Sequence, residues 1–129
     1  MRAIIRGMPC DCELDLERRW VRGRAWGAVT YAEVLAARKK FLSDPDFRSD
    51  FRQLYDGREV TRMALTASEV GQLAMNPLFG PGTRRAFVTP TRETYGVMRL
   101  YQIYRAVNAG KEQIRLFRTL EEAEAWLSE

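Results

Sequence analysis

A threonine followed three residues later by a glutamate occurs at Thr30, Thr66 and Thr119. In such a capping box the threonine side chain accepts a hydrogen bond from the backbone N–H three residues on, and the glutamate accepts one from the threonine's own backbone N–H. The spacing therefore marks the first turn of a helix. Each copy follows an apolar, strand-like run, so strands alternate with capped helices. This layout predicts a small α/β domain.

The length of 129 residues matches the commonest size of one domain. We expect one domain at residues 10–129, preceded by an N-terminal extension, or an extra edge strand, at residues 1–9. No apolar run approaches the ~20 residues that span a membrane, so no membrane span is expected. Arg2 and Arg6 interrupt the apolar residues at the N-terminus. The segment does not resemble a secretion signal, and we expect a cytoplasmic location.

The chain contains no histidine. This excludes Ser-His-Asp and Cys-His catalysis and removes the commonest transition-metal ligand. Cys10 and Cys12 are separated by one residue, a spacing that strains a disulfide and that suits one face of a strand. The sequence therefore predicts a protein that is not an enzyme, with no metal and no cofactor, and we assign no catalytic residue.

The formal net charge is +4, and arginine supplies all the basic residues except Lys39, Lys40 and Lys111. Acidic residues are interspersed with the basic ones along the chain. No basic helix stripe or tail with interleaved aromatic residues is present, and we therefore expect no nucleic-acid partner.

The first half of the chain indicates a hairpin, a helix and a strand. Alternating polar and apolar residues predict strands at 10–17 and 20–27. A helix follows at 31–43, where Asp44 and Pro45 end it. The run 51–55 predicts a central strand that ends at the turn dipeptide Asp56-Gly57. Residues 58–65 are compatible with a loop or a short strand.

The second half repeats the alternation. The pattern predicts helices at 67–75, from Thr91 to about Asn108 and from Leu120 onward, with strands at 84–89 and 113–117. The predicted order is ββαβαβαβα, in one domain with a mixed sheet of four to five strands and about four helices. Strands that a helix separates should be parallel.

Several runs of this sequence resemble the bacterial SpoIIAA-like proteins of the STAS/SEC14-like group. The resemblance spans residues 10–128, and the runs that carry it are 51–56, 84–88, 95–99 and 117–127. It implies a mixed sheet with helices mainly on one side. It also implies two kinds of function: regulators that phosphorylation switches, and carriers of lipid-like ligands.

The regulators of this group carry an Asp-Ser-Ser-Gly switch motif at a strand end. Here Asp56 is followed by Gly57 and Arg58, and the next helix opens only at Thr66. The resemblance therefore makes Ser68 and Thr66 the approximate candidates for a phosphorylation switch.

Our first functional hypothesis is an intracellular protein-interaction or regulatory module without enzymatic activity. The expected partner contacts are Asp56, Arg58 and Arg62 in the segment before the second helix, together with Leu78 and Phe79 in the following loop. Leu78 and Phe79 serve this hypothesis as exposed anchors; the alternative is that they fold back over the core. The aromatic residues of the third helix also suggest a homodimer.

The alternative hypothesis is a binding or carrier protein for a small hydrophobic or lipid-like ligand. Flexible methionines and tyrosines with polar tips suit such a pocket. Arg62 or Arg99 would hold an acidic head group. The predicted pocket residues are Met63, Met75, Met98, Tyr101 and Tyr104.

Overall fold

A computed structural model describes residues 10–129 of the protein. The predicted extension at residues 1–9 lies outside the described residues. Within the described residues the sheet has five strands: β1 (Cys10–Asp15), β2 (Trp20–Thr30), β3 (Arg52–Ala64), β4 (Arg84–Val88) and β5 (Gln113–Phe117). Their spatial order equals their order in the chain, with β1 antiparallel to β2 and every other neighbouring pair parallel.

Four helices connect or follow these strands: α1 (Tyr31–Leu42), α2 (Ala67–Leu73), α3 (Arg92–Val107) and α4 (Leu120–Leu127). The order ββαβαβαβα, the mixed sheet and the α/β class are confirmed. The predicted hairpin corresponds to β1 and β2, and each crossover between parallel strands contains one helix.

The three Thr-x-x-Glu sites all begin helices, and the threonine side chain accepts from the glutamate backbone N–H in each. The box is reciprocal only at Thr66, where the Glu69 carboxylate accepts from the Thr66 N–H at 2.9 Å. At Thr30 and Thr119 the glutamate carboxylate accepts from the threonine hydroxyl instead. A further reciprocal box at Thr91 uses Thr94 as its third residue, a pairing that the glutamate signature does not contain.

The two faces of the sheet are covered unequally. Helix α4 packs on one face, where Trp20, Leu54 and Trp126 belong to a common apolar cluster. Helices α1, α2 and α3 lie on the other face, and their clusters include Val21, Val70 and the β4 residue Phe87, among others. Side chains alternate along a strand, so each central strand serves both cores.

Two predicted strand boundaries are wrong. Strand β2 continues past Gly27 to Thr30, and Gly27 takes a positive φ of 64° beside an irregularity in the ladder. Strand β3 does not end at Asp56-Gly57 but runs on to Ala64, because the long β2 pairs with it from Arg52 to Ala64. Residues 58–64, for which the sequence left a loop or a short strand open, therefore belong to this strand. Gly57 is needed for close approach, since a Cβ there would lie 2.7 Å from the Val88 carbonyl oxygen.

Helix α2 ends at Leu73, two residues before the predicted end. Within residues 10–129, none of the helices has the length and apolar character needed to cross a membrane.

Candidate ligand site

A cavity of about 80 Å³ lies between the sheet and the three helices on its larger covered face. Its wall is mostly apolar and draws on β1 to β4 as well as on all three helices. Side chains that form this apolar wall include Cys10, Val21, Val34, Val70, Phe87 and Val97. Native cores contain few voids larger than one water molecule. This space holds several times the ~10–15 Å³ that one water requires.

One end of the cavity is formed by Arg38 of α1 and Tyr101 of α3. The Arg38 guanidinium donates to the Leu73 carbonyl oxygen at 2.7 Å and to the Tyr101 hydroxyl at 3.2 Å. Leu73 is the last residue of α2, so Arg38 neutralises the negative end of that helix. Burial lowers the pKa of the Arg38 guanidinium, and repulsion from Arg85 and Arg105 acts in the same direction.

Arg85 reaches the same end of the cavity from β4, and it is 1% exposed. Its Nε donates to Gln53 Oε1 at 2.8 Å, and its Nη1 donates to Glu112 Oε2 at 3.0 Å. The guanidinium also lies over the Tyr101 ring, 5.3 Å from the ring centre. A buried arginine in a central strand is thus held by an amide, a carboxylate and aromatic faces.

Behind this layer, Glu112 also binds Arg105 of α3. Arg105 Nη2 donates to Glu112 Oε1 at 3.1 Å, and Arg105 Nη1 donates to the Ala74 carbonyl oxygen at 2.7 Å. Burial alone would raise the pKa of Glu112, but Arg105 and Arg85 outweigh burial and lower it. We refer to Arg38, Arg85, Arg105 and Glu112 as the arginine cluster.

The arginine cluster has more positive than negative charge. The cluster contains three guanidiniums and one carboxylate, which contacts Arg85 and Arg105 but not Arg38, so two positive charges remain. Among the described wall residues Asp11 is a further carboxylate, and its Oδ1 accepts from Lys40 Nζ at 2.8 Å. Buried charges are normally paired, so this end of the cavity favours an additional anion.

Another part of the wall is polar but uncharged. The Cys10 thiol and the Tyr55 hydroxyl interact there, and burial raises the pKa of Cys10 to about 11. Burial also raises the pKa of Tyr55. Both groups are therefore neutral near pH 7, and this part of the cavity does not attract an anion.

The structure places only some of the predicted pocket residues in the cavity. Met63, Met98 and Tyr101 line it, as the ligand hypothesis requires. Met75 is 59% exposed and lies outside the wall, because α2 ends before it. Tyr104 is also outside the wall and packs beside Gly71 on α2.

The two arginines predicted to hold a head group, Arg62 and Arg99, are both exposed. Among the described residues that line the cavity, the cations are Arg38 and Arg85, which sequence reasoning missed. Arg38 belonged to a basic run at the end of a helix and Arg85 to a short strand next to another arginine. The alternation of side chains along β4 could have predicted that Arg85 is buried, because residues 85 and 87 point to the same face of the strand and Phe87 is apolar.

Leu78 and Phe79 are not exposed anchors but follow the alternative interpretation, in which they fold back over the core. Leu78 is 9% exposed and Phe79 is 4% exposed, because both lie against Phe41 and the rings around it. Asp56 and Arg58 form a mutual ion pair on the far side of β3, with Arg58 Nη2 donating to Asp56 Oδ2 at 2.8 Å. The segment predicted to contact a partner belongs to this strand as far as Ala64.

The candidate switch residues lie at the start of α2. Thr66 is its N-cap, and its hydroxyl accepts from the Glu69 N–H at 3.1 Å. Ser68 is exposed in the first turn. The capping role accounts for Thr66 and leaves Ser68 as the accessible hydroxyl. In the part of the chain that the structure describes, no three potential metal ligands are grouped.

Comparison with solved structures identifies the architecture. The chain matches the crystal structure of an uncharacterised protein of the DUF3478 family from Shewanella loihica PV-4, with a TM-score of 0.56 over 98% of both chains. That protein is described as having a SpoIIAA-like fold. The chain has a SpoIIAA-like fold. At 17% identity the likeness shows the fold alone.

The resemblance found in the sequence agrees with this SpoIIAA-like fold, including helices mainly on one side of the sheet. No protein-family model matches the chain, and no curated protein matches it. Function on this fold must therefore be argued from the cavity and the groups around it.

Proposed function

We propose that this protein binds a small, largely apolar molecule in the cavity between the sheet and helices α1 to α3. The cavity itself is the observation that carries the proposal, because a core of this size normally closes such a space with side chains. Its wall combines apolar residues with a few convergent polar groups, the usual composition of a ligand site. Met63 and Met98 are half-buried in the wall and are flexible enough to adjust to an occupant.

The volume limits the ligand. A cavity of about 150 Å³ in another protein accommodates benzene, and about 80 Å³ is roughly half of that. A ligand of a few carbon atoms fits without change, and a longer chain requires the helices to separate from the sheet.

A cavity-filling variant tests this proposal. Val34→Phe adds a ring to the wall, and Leu35→Phe is the matched control, because Leu35 is the next residue on α1 and is 42% exposed. We expect short aliphatic alcohols to bind and stabilise the wild type and Leu35→Phe, and to bind folded Val34→Phe at least about 10-fold more weakly. The readouts are calorimetric titration and thermal unfolding. Absence of binding to the wild type, or equal binding to both variants, contradicts the proposal.

A second candidate function is a regulatory module that contacts a protein partner. The observation that favours it is the exposed Ser68 in the first turn of α2, the helix whose last carbonyl oxygens accept from Arg38 and Arg105. A phosphate there would lie near the positive end of the helix, where it is tolerated, and would change the surface charge that a partner meets.

Incubation with cell lysate and ATP, followed by intact-mass measurement, tests this second candidate. We expect the mass of one phosphate on the wild type and none on Ser68→Ala. An unmodified wild type would argue against the switch. Neither candidate function includes a catalytic step.

A further inference from the structure

We propose that the ligand is a small carboxylic acid, bound as its carboxylate by Arg38, Arg85 and Tyr101 while its apolar part occupies the cavity. This inference rests on the proposed binding function and names the class of ligand. Four observations support it: the excess positive charge of the arginine cluster, the Tyr101 hydroxyl that donates no hydrogen bond, the absence of a carboxylate partner for Arg38 among the described residues, and the small, apolar cavity.

Positive charge exceeds negative charge at this end of the cavity. Arg85 and Arg105 share Glu112, whose side chain is 1% exposed, and Arg38 adds a third guanidinium. Arg38 is half-buried and has no carboxylate partner among the described residues, and an anion from the ligand would reduce the cost of taking its charge out of water. The rest of the cavity wall is largely apolar and provides a place for a hydrocarbon body.

The Tyr101 hydroxyl has unused hydrogen-bonding capacity inside the protein. The residue is 3% exposed. Its hydroxyl oxygen accepts from Arg38 at 3.2 Å, and the Arg85 guanidinium lies over the same ring, 5.3 Å from the ring centre. Among residues 10–129, the Tyr101 hydroxyl donates no hydrogen bond to a protein acceptor. A carboxylate oxygen in the cavity would accept the hydroxyl proton and take part in a bond that the protein alone leaves unmade.

The Arg38 guanidinium has both an unpaired charge and unused N–H donors among the described residues. Its two hydrogen bonds go to neutral oxygens, those of Leu73 and Tyr101, and within the described residues no carboxylate forms an ion pair with it. A guanidinium has five donor N–H groups in a planar fork, which suits the two oxygens of a carboxylate. Arg38 therefore has both the charge and the remaining donors to hold an acid.

The size and polarity of the cavity favour a carboxylate over a phosphate ester as the anionic group of the ligand. The cost of taking an ion out of water rises with the square of its charge, so a dianion is penalised more strongly in this apolar cavity than a monoanion. A planar carboxylate also needs less of the about 80 Å³ available than a tetrahedral phosphate. These two considerations favour the acid.

Three probes with the same number of carbon atoms, small enough for the cavity, test the inference by calorimetric titration of the full chain: butanoate, 1-butanol and butyl phosphate. We expect butanoate to bind at least about 10-fold more tightly than 1-butanol, as charge-assisted hydrogen bonds predict. We expect butyl phosphate to bind more weakly than butanoate.

Two variants locate the anion. Arg38→Gln and Tyr101→Phe should each weaken butanoate binding about 10-fold and leave 1-butanol binding within about 2-fold of the wild-type value. Tyr101→Phe conserves the ring, so it keeps the test informative if Arg38→Gln does not fold. The matched controls, Arg99→Gln and Tyr104→Phe, lie on α3 outside the cavity wall and should change neither ligand.

The outcomes separate the two proposals. Equal binding of 1-butanol and butanoate, or tighter binding of butyl phosphate, overturns the carboxylate and leaves the binding function standing. A preference for butanoate that survives both variants overturns the assigned residues. If none of the three probes binds, the proposed function fails and the inference fails with it.

Discussion

Burial determines how much a charged residue contributes in this protein. The ion pair of Arg19 with Asp50 is exposed, with side chains 51% and 70% accessible, and water screens it. Glu112 compensates two guanidiniums from a side chain that is 1% exposed. Breaking the buried pairs of Glu112 should therefore cost more stability than breaking the exposed pair of Arg19 with Asp50.

Replacing Glu112 should destabilise the protein strongly. Glu112→Gln leaves Arg85 and Arg105 buried without a counterion, and we expect a loss of about 3–5 kcal/mol in the free energy of unfolding. Asp50→Asn is the control, with an expected change within about 0.5 kcal/mol. Urea unfolding of the two variants measures both values. A loss at Glu112 as small as that at Asp50 would contradict the role given to the arginine cluster.

Tyr101 should make stability depend on pH. Burial alone would raise its pKa, but Arg85 and Arg38 outweigh burial and lower the pKa below the ordinary value. A lowered folded-state pKa contributes stability above that pKa and loses it as the pH falls. The stability difference between the wild type and Tyr101→Phe should therefore grow as pH rises toward the ordinary tyrosine value of about 10.

Unfolding in urea at several pH values, with Tyr104→Phe as control, measures this effect. A stability difference that is constant with pH would contradict the assignment.

At the scale of elements, glycines show where local sequence patterns are ambiguous. Asp56-Gly57 has the composition of a turn, yet both residues lie inside β3. Gly57 is required because β4 passes so closely that a side chain would meet the Val88 carbonyl oxygen. The sequence Asp-Gly alone does not show whether the glycine is needed for a turn or for the close approach of a neighbouring strand.

Two alanine substitutions distinguish these uses of glycine. Gly57→Ala should destabilise the protein by about 1–3 kcal/mol, because neither backbone can move away cheaply. Gly96→Ala, inside α3 where no atom apart from its chain neighbours and the backbone of its own helix lies within 4 Å of the added Cβ, should stabilise it by about 0.5–1 kcal/mol. Thermal unfolding compares them. A stable Gly57→Ala protein would mean that β3 and β4 are not held as closely as described.

At the scale of the whole molecule, the outward side of α3 retains apolar residues that the core does not use. Tyr95 is 50% exposed, Ile103 is 43% exposed and Val107 is 77% exposed. Tyr101 and Tyr104, which first suggested a homodimer, are respectively buried and half-buried. A dimer face would therefore use the other side of the helix.

The homodimer stays a prediction with a direct test. Sedimentation at two protein concentrations should show association that Ile103→Lys weakens and Leu35→Lys, on the exposed side of α1, does not. We expect at least about a 10-fold weaker dimer, because a buried lysine would lack a partner. A monomer at both concentrations would contradict the prediction.

The sequence by itself determined the fold class and the order of elements. Helix caps, alternating side chains and helix-ending prolines act over a few residues, so Thr30, Thr66 and Thr119 could be interpreted without a structure. Local signals of this kind also located Met63, Met98 and Tyr101 on elements that could line a pocket.

Only the tertiary structure decided which charges meet. Arg38, Arg85 and Glu112 lie on α1, on β4 and before β5, and no local pattern joins them. The packing of helices on one face determines which side chains lose water, and it buried Leu78 and Phe79 while leaving Arg62 and Arg99 outside. Burial and long-range pairing are properties of the assembled sheet, which is why the polar end of the cavity could not be predicted from the sequence.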